Sequence, residues 1–233
     1  MAERDNPVPI RDSAAQWSDA AYGDQAAGLK VLRQTYQLLA MTLVFSAIVA
    51  GVTMALDLPR PGIFVVLGGF FGLLFLTNKL ANSAWGLLSV FALTGFMGYT
   101  LGPILNMYSG LPNGSQIIAT AFGTTAIAFI GLSIYARSAQ APDMMRFGPF
   151  LMIGVLTAFV LGLVAIFFQM PMLSLAVSAL FVLLMCGMIM WQTQAIVIGG
   201  ETNYIMATVS LYVSIYNLFT SLLHILGFMG GDD

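Results

Sequence analysis

The chain has 233 residues, a formal net charge of -2, 59% hydrophobic residues and only 8% charged ones, with a mean hydropathy of +0.90. That balance lies outside the range of an ordinary soluble domain, and it argues against a nucleic-acid partner, which calls for a basic surface. Cys186 is the sole cysteine, so neither an internal disulfide nor a thiolate metal cluster can form.

Residues 1–30 are polar, contain Pro7 and Pro9, and mix acids with bases. They lack the apolar core and cleavage pattern of a signal peptide, so a retained, disordered cytoplasmic tail is expected, with residues 31–229 forming one transmembrane domain. Seven apolar blocks follow, at Thr35–Leu56, Gly62–Asn78, Ala84–Leu105, Gln116–Ala136, Pro149–Phe168, Met172–Val197 and Tyr204–Phe228. Each is near the ~20 residues that cross a bilayer as a helix, the second being short. Connections such as Gln169–Pro171 and Ile198–Asn203 are brief, which makes consecutive helices antiparallel neighbours. The expected fold is all-α and integral to the membrane, with seven transmembrane helices.

Small residues suggest how the middle of the bundle packs. Gly95, Gly98 and Gly102 share one side of the third span, and Gly68, Gly69 and Gly72 crowd the second; both sets read as close helix contacts. Gly102-Pro103 is expected to bend or end the third helix, because Pro103 cannot donate to the carbonyl one turn back.

The seventh span carries the clearest polar signal. Ser210, Ser214, Asn217, Ser221 and His224 recur at helical spacing and therefore share one face. Hydrocarbon offers such a stripe no hydrogen-bond partner, so the face must look at protein or at a wet cavity. Orientation follows from the basic residues. With an odd number of spans and the amino terminus inside, Arg4, Arg11, Lys30, Arg33, Lys79, Arg137 and Arg146 fall on the cytoplasmic side and only Arg60 falls outside.

Most catalytic chemistries fail on residue type or position. A retinal Schiff base needs a lysine inside a helix, whereas Lys30 and Lys79 lie near or beyond helix ends. Gly131-Leu132-Ser133-Ile134 matches the pattern around a rhomboid-type nucleophile. Ser133 and His224 nevertheless belong near opposite ends of the bundle, roughly 20 Å apart at helical rise, and a nucleophile needs its base within hydrogen-bond reach. One histidine and no intramembrane carboxylate make no metal site, and no phosphate-cradling motif is present. We therefore expect no catalytic residue, no cofactor and no metal, with His224 serving as a satisfied hydrogen-bond partner.

Three stretches carry a resemblance: Lys30-Val31-Leu32-Arg33-Gln34-Thr35-Tyr36, Leu101-Gly102-Pro103-Ile104-Leu105-Asn106, and the run from Gly199-Gly200-Glu201-Thr202-Asn203-Tyr204-Ile205 through Ser210-Leu211-Tyr212-Val213-Ser214-Ile215-Tyr216-Asn217-Leu218-Phe219. They resemble the Bax inhibitor-one family, and most closely its bacterial YccA branch, over about residues 28 to 228. The resemblance implies a last helix that is central and wrapped by the other six. It also implies a multi-pass protein of the bacterial inner membrane, whose carboxyl terminus the charge placement above puts on the periplasmic side, that modulates the FtsH membrane protease by direct interaction rather than as an enzyme. Other members of the family behave as pH-sensitive calcium leaks governed by two aspartates in the sixth and seventh helices. Those positions fall here on Gln192 and Ser214.

The replacement has a physical consequence. Two adjacent carboxylates share a proton and respond to pH together, and calcium prefers several anionic oxygens. Gln192 and Ser214 supply neither, so calcium leak by that mechanism is expected to be weak or absent, and the two are expected to hydrogen-bond across their helices instead. A residual small-ion path along Ser210, Ser214 and Asn217 is the alternative function. Glu201, just ahead of the seventh helix, is suited to complement its dipole or to contact a partner.

Overall fold

The computed structural model describes the backbone of residues 10–138 and 140–230, and side chains from Ala27 onward. Helices run α1 Ile10–Ala55, α2 Ile63–Leu80, α3 Trp85–Ser109, α4 Gly114–Ala136, α5 Gly148–Phe167, α6 Pro171–Val197 and α7 Tyr204–Met229, with a 3-10 turn at Met144–Phe147 before α5. Among the described residues, seven segments are long and apolar enough to cross a membrane, the first being Ala27–Ala55 of α1. Their limits agree with the expected spans to within a few residues, except at the start of α1.

Helix ends follow local chemistry. Pro171 opens α6 and Pro149 stands in the first turn of α5, positions where a fixed φ suits the helix and the missing N–H has no intrahelical partner anyway. Gly199, at φ 78°, closes α6 in the left-handed conformation that favours glycine. Asp57 and Gln169 adopt positive φ of 48° and 51° without being glycine, one in each of two turns at the same end of the bundle.

The expected tail is corrected in part. Backbone from Ile10 to Ala26 is helical and continuous with the first span, and residues 1–9 lie outside the described residues. The sequence accounts for this: Pro9 is the last proline before the first span, and Ala14, Ala15, Ala20, Ala21, Ala26 and Ala27 favour the helix and offset Gly23. The packed body also begins before residue 31, because a Cβ at Gly28 would stand 2.7 Å from the carbonyl oxygen of Val197.

Glycine fixes the α1–α3 pairing. A Cβ at Gly95 would meet the Phe45 ring, one at Gly98 the Ser46 carbonyl, and one at Gly102 the Thr53 hydroxyl and the Ala50 carbonyl. In α2 only Gly69 serves this way, against Phe96, while Gly68 and Gly72 face open space. The reason is position: α2 is peripheral, and Thr77 is its one buried residue. Helix α3 does not end at Gly102-Pro103 but continues through Pro103 to Ser109. Leu101, Ile104 and Leu105 pack into a cluster with Tyr108, Ile117, Phe219 and Leu223, and tertiary packing of this kind lets a membrane helix absorb a proline.

Helix α7 occupies the middle. It packs directly on α1, α3, α4 and α6, while α2 leans on α3 and α5 on α6. Two large clusters flank it. One joins Leu38, Leu39, Val90 and Leu93 to Leu211 and Tyr212; the other joins Leu151, Ala158, Leu184 and Ile189 to Leu218. The outer faces of α2 and α5 present Phe64, Phe75, Phe150 and Ile153, as hydrocarbon-facing helices should.

Candidate site at the seam of α6 and α7

Asn203 sets the position of α7 and hence of everything on it. Its side-chain oxygen accepts from the backbone N–H groups of Ile205 and Met206 at 2.9 and 3.2 Å, satisfying two donors that a helix start leaves orphaned. Its amide nitrogen donates to Ala81 O and Asn82 Oδ1 at 3.1 and 2.8 Å, which ties the α6–α7 turn to the α2–α3 turn. Glu201 Oε1 in turn accepts from Asn203 N at 2.8 Å. Glu201 thus works in the cap of α7. Among the described residues the single ion pair is Arg146 with Asp143 at 3.2 Å, so Glu201 is joined to neither Arg137 nor Arg146. Sequence reading overlooked Asn203, although an asparagine directly before an apolar run is a standard cap signal.

From this cap the polar stripe runs along α7 toward α6. Ser214 and Ser221 are buried, and Ser210, Asn217 and His224 are half-buried. Ser214 Oγ donates to Gln192 Oε1 at 3.2 Å and to Ser210 O at 3.1 Å, one proton shared between two acceptors. Turning the Gln192 amide over would make it the donor and leave Ser214 free to serve Ser210 alone. Ten residues along α7, His224 Nδ1 lies 2.8 Å from Ser178 Oγ. That hydroxyl also reaches Ser174 O at 3.0 Å, so a proton on Nδ1 lets both groups bond at once. Asn217 turns inward on its own helix, donating to Val213 O at 2.8 Å. The seam therefore carries two cross-helix links, Gln192–Ser214 and Ser178–His224, with Asn217 bonded to its own helix between them.

A second polar row, missed in the sequence, lies on the face of α7 turned to α1 and α3. Thr208 Oγ1 donates to Tyr204 O at 2.7 Å and reaches Thr35 O at 3.3 Å. The Tyr212 hydroxyl sits 2.5 Å from Ser46 Oγ and donates to Thr94 O at 3.3 Å. The Tyr216 hydroxyl is 3.1 Å from Thr100 Oγ1, and the two tyrosine rings stack at 6.4 Å. Spacing of four residues was the available signal, but aromatic side chains at that period read equally well as core.

Among the described residues, five buried side-chain oxygens have no protein partner: Thr35 Oγ1, Tyr36 Oη, Thr77 Oγ1, Ser133 Oγ and Thr193 Oγ1. Hydroxyls elsewhere in the bundle, such as Thr42, Thr53, Thr94, Thr100 and Thr125, bond back to their own helix. Thr77, Ser133 and Thr193 all stand within a turn or so of the helix ends near the α6–α7 turn. Arg137 lies beside this group, its Nε donating to Ser133 O at 3.0 Å and its guanidinium 6.0 Å from the Tyr36 ring.

A seven-helix bundle with a lipid-compatible exterior and hydrogen-bonded polar seams on its inner helix defines a multi-pass membrane protein. Comparison with known proteins then places it. Residues 29–231 match the family model described as "Inhibitor of apoptosis-promoting Bax1", and the chain belongs to this family, in the branch that contains YccA. It is 52% identical to the Escherichia coli K12 protein named "Modulator of FtsH protease YccA", over 87% of this chain and 92% of the relative. An uncharacterised Pseudomonas aeruginosa protein is 58% identical over 92% of this chain and 96% of its own length. A Neisseria meningitidis relative, also uncharacterised, is 33% identical over 87% of the chain.

Proposed function

We propose that this protein is a non-catalytic inner-membrane regulator that binds the FtsH protease and restrains it. The observation that carries the reading is the 52% identity to a protein named as a modulator of that protease, extending over 92% of the relative. The physical character of the chain is consistent with it. Among the described residues, hydrogen bonds tie the inner helix α7 to α1, α3 and α6. The bulk of the basic residues, Lys30, Arg33, Lys79, Arg137 and Arg146, lie at the α6–α7 end, which supports a cytoplasmic location for that end and for the α1 extension. The opposite end would then face the periplasm.

In this reading the helical segment from Ile10 to Ala26 and the α6–α7 turn with Glu201 are the parts available to a cytoplasmic or membrane partner. Affinity purification from mild detergent tests the interaction directly. FtsH should co-purify with the tagged protein, and overexpression should slow turnover of another substrate of that protease. Absence of the protease from the purified material, together with unchanged turnover, would rule the proposal out.

The ion-leak alternative rests on Gln192 and Ser214, which stand opposite each other where the resemblance places an aspartate pair. Their 3.2 Å contact is between uncharged groups, so it gives a divalent cation no anionic ligand. This supports the regulator reading over the leak.

A further inference from the structure

At the end of the bundle that carries the α1–α2 turn, Asp57, Leu58, Pro59, Arg60, Pro103, Asn106 and Met107 line an open cavity of about 590 Å³. Asp57 and Arg60 are the only ionised side chains at this end among the described residues, and both border the same cavity. They stand three positions apart yet form no ion pair within 4.0 Å. Asp57 is instead held from the side, where Asn106 Nδ2 donates to its Oδ1 at 2.6 Å while the backbone sits at φ 48°. Among the described residues no hydrogen bond or ion pair engages the other Asp57 oxygen or the Arg60 guanidinium.

We infer that this cavity binds the headgroup of a phosphoethanolamine lipid, with phosphate on Arg60 and ammonium on Asp57. The charges select the class. A lone anion gains from Arg60 and is repelled by Asp57, and a lone cation meets the reverse; a zwitterion uses both. Guanidinium forks match phosphate oxygens in geometry. An ammonium with N–H groups can donate to the free oxygen of Asp57, whereas a quaternary choline has no N–H and is recognised through aromatic faces. No Phe, Tyr or Trp lines this cavity, so choline is disfavoured. Position selects a lipid over a free solute. The cavity lies just beyond the end of the first span at Ala55 and the start of α2 at Ile63, at headgroup depth. Leu56 and Met107 are 64% and 56% exposed beside it, ready for the upper acyl chain.

Native mass spectrometry of the full chain in mild detergent tests this, using phosphatidylethanolamine, phosphatidylglycerol and phosphatidylcholine of identical acyl chains. The wild type should retain the ethanolamine lipid about tenfold over the choline lipid, the order expected of one charge-assisted hydrogen bond. Asp57→Asn should erase that preference while keeping binding of all three. Arg60→Gln should weaken all three, and Arg60→Lys should restore part of the loss. Equal retention of the three lipids by the wild type would overturn the inference, and that outcome needs no variant to fold. So would a preference untouched by Asp57→Asn, or displacement of the lipid by an equal concentration of soluble O-phosphoethanolamine.

Discussion

Ser214 and Thr193 are both fully enclosed hydroxyl residues, yet substitution should affect them in opposite ways. Ser214 donates across helices to Gln192, and interhelical bonds of this type contribute about 0.6 kcal/mol on average and up to ~2. Ser214→Ala should therefore lower stability by roughly 0.5–1.5 kcal/mol, measured by reversible unfolding in detergent. Thr193 has no protein partner for its hydroxyl, so Thr193→Val exchanges an unpaired polar group for an apolar one of the same shape. That change should be neutral or mildly stabilising. A loss above ~1 kcal/mol would show that the hydroxyl is bonded after all. The same seam yields a functional prediction. Gln192→Asp combined with Ser214→Asp places two carboxylates in contact range, where they must share a proton, and should create a pH-dependent calcium flux in liposomes. Equal flux from the wild type and the double variant would refute the claim that the native pair is inert toward calcium.

Among the elements, α1 and α3 show the clearest link from sequence to packing. Gly98 and Gly102 let α3 approach so closely that any side chain would enter the Ser46 backbone or the Thr53 hydroxyl and Ala50 carbonyl. Neither neighbour can withdraw, since backbone belongs to α1 itself and Thr53 Oγ1 is bound to Ala50 O at 3.0 Å. Gly98→Val or Gly102→Val should force the helices apart and cost ~1–3 kcal/mol or more, while Gly72→Val, where no atom lies within 4 Å, should be close to neutral. A similar thermal shift for Gly72→Val and Gly102→Val would contradict this account. The contrast also shows what the sequence disclosed. Helix count, limits and the small-residue face of α3 were legible because hydropathy and period are local properties. The idle glycines of α2 were not, because their role depends on which helix lies opposite. Pro103 does not end α3 for the same reason: its local tendency to terminate a helix is outweighed by packing that the chain supplies from α1, α4 and α7. At the seam, the stripe on α7 was visible as spacing, but its partners Gln192 and Ser178 sit 22 and 46 residues away from it. The tyrosine row had no separate signature, since a hydroxyl at the end of an aromatic ring declares its use only when its acceptor is known.

At the scale of the molecule, the chain divides into a body fastened by internal bonds and a helical extension of α1 ahead of it. The body closes at Gly28, where α1 passes against the Val197 carbonyl, and at Leu32, which is buried with Ile196 and Ile205. Residues 10–26 continue beyond the membrane-length segment as helix, about 25 Å of it at 1.5 Å per residue. An ATP-driven membrane protease acts on a segment it can engage and pulls on what lies behind it. Here the segment would be the α1 extension, and behind it stands a bundle in which α7 is capped by Asn203 and bonded to α1, α3 and α6. Engagement without extraction would occupy the protease. On this argument, deleting residues 1–26 should leave the fold intact, because Gly28 and Leu32 are retained, while relieving the proposed inhibition. Melting temperature in detergent checks the first half, and turnover of a second FtsH substrate in cells checks the other. A truncated protein that folds, still co-purifies with the protease and inhibits as strongly as the full chain would take the extension out of the mechanism and leave the body of the bundle as the inhibitory surface.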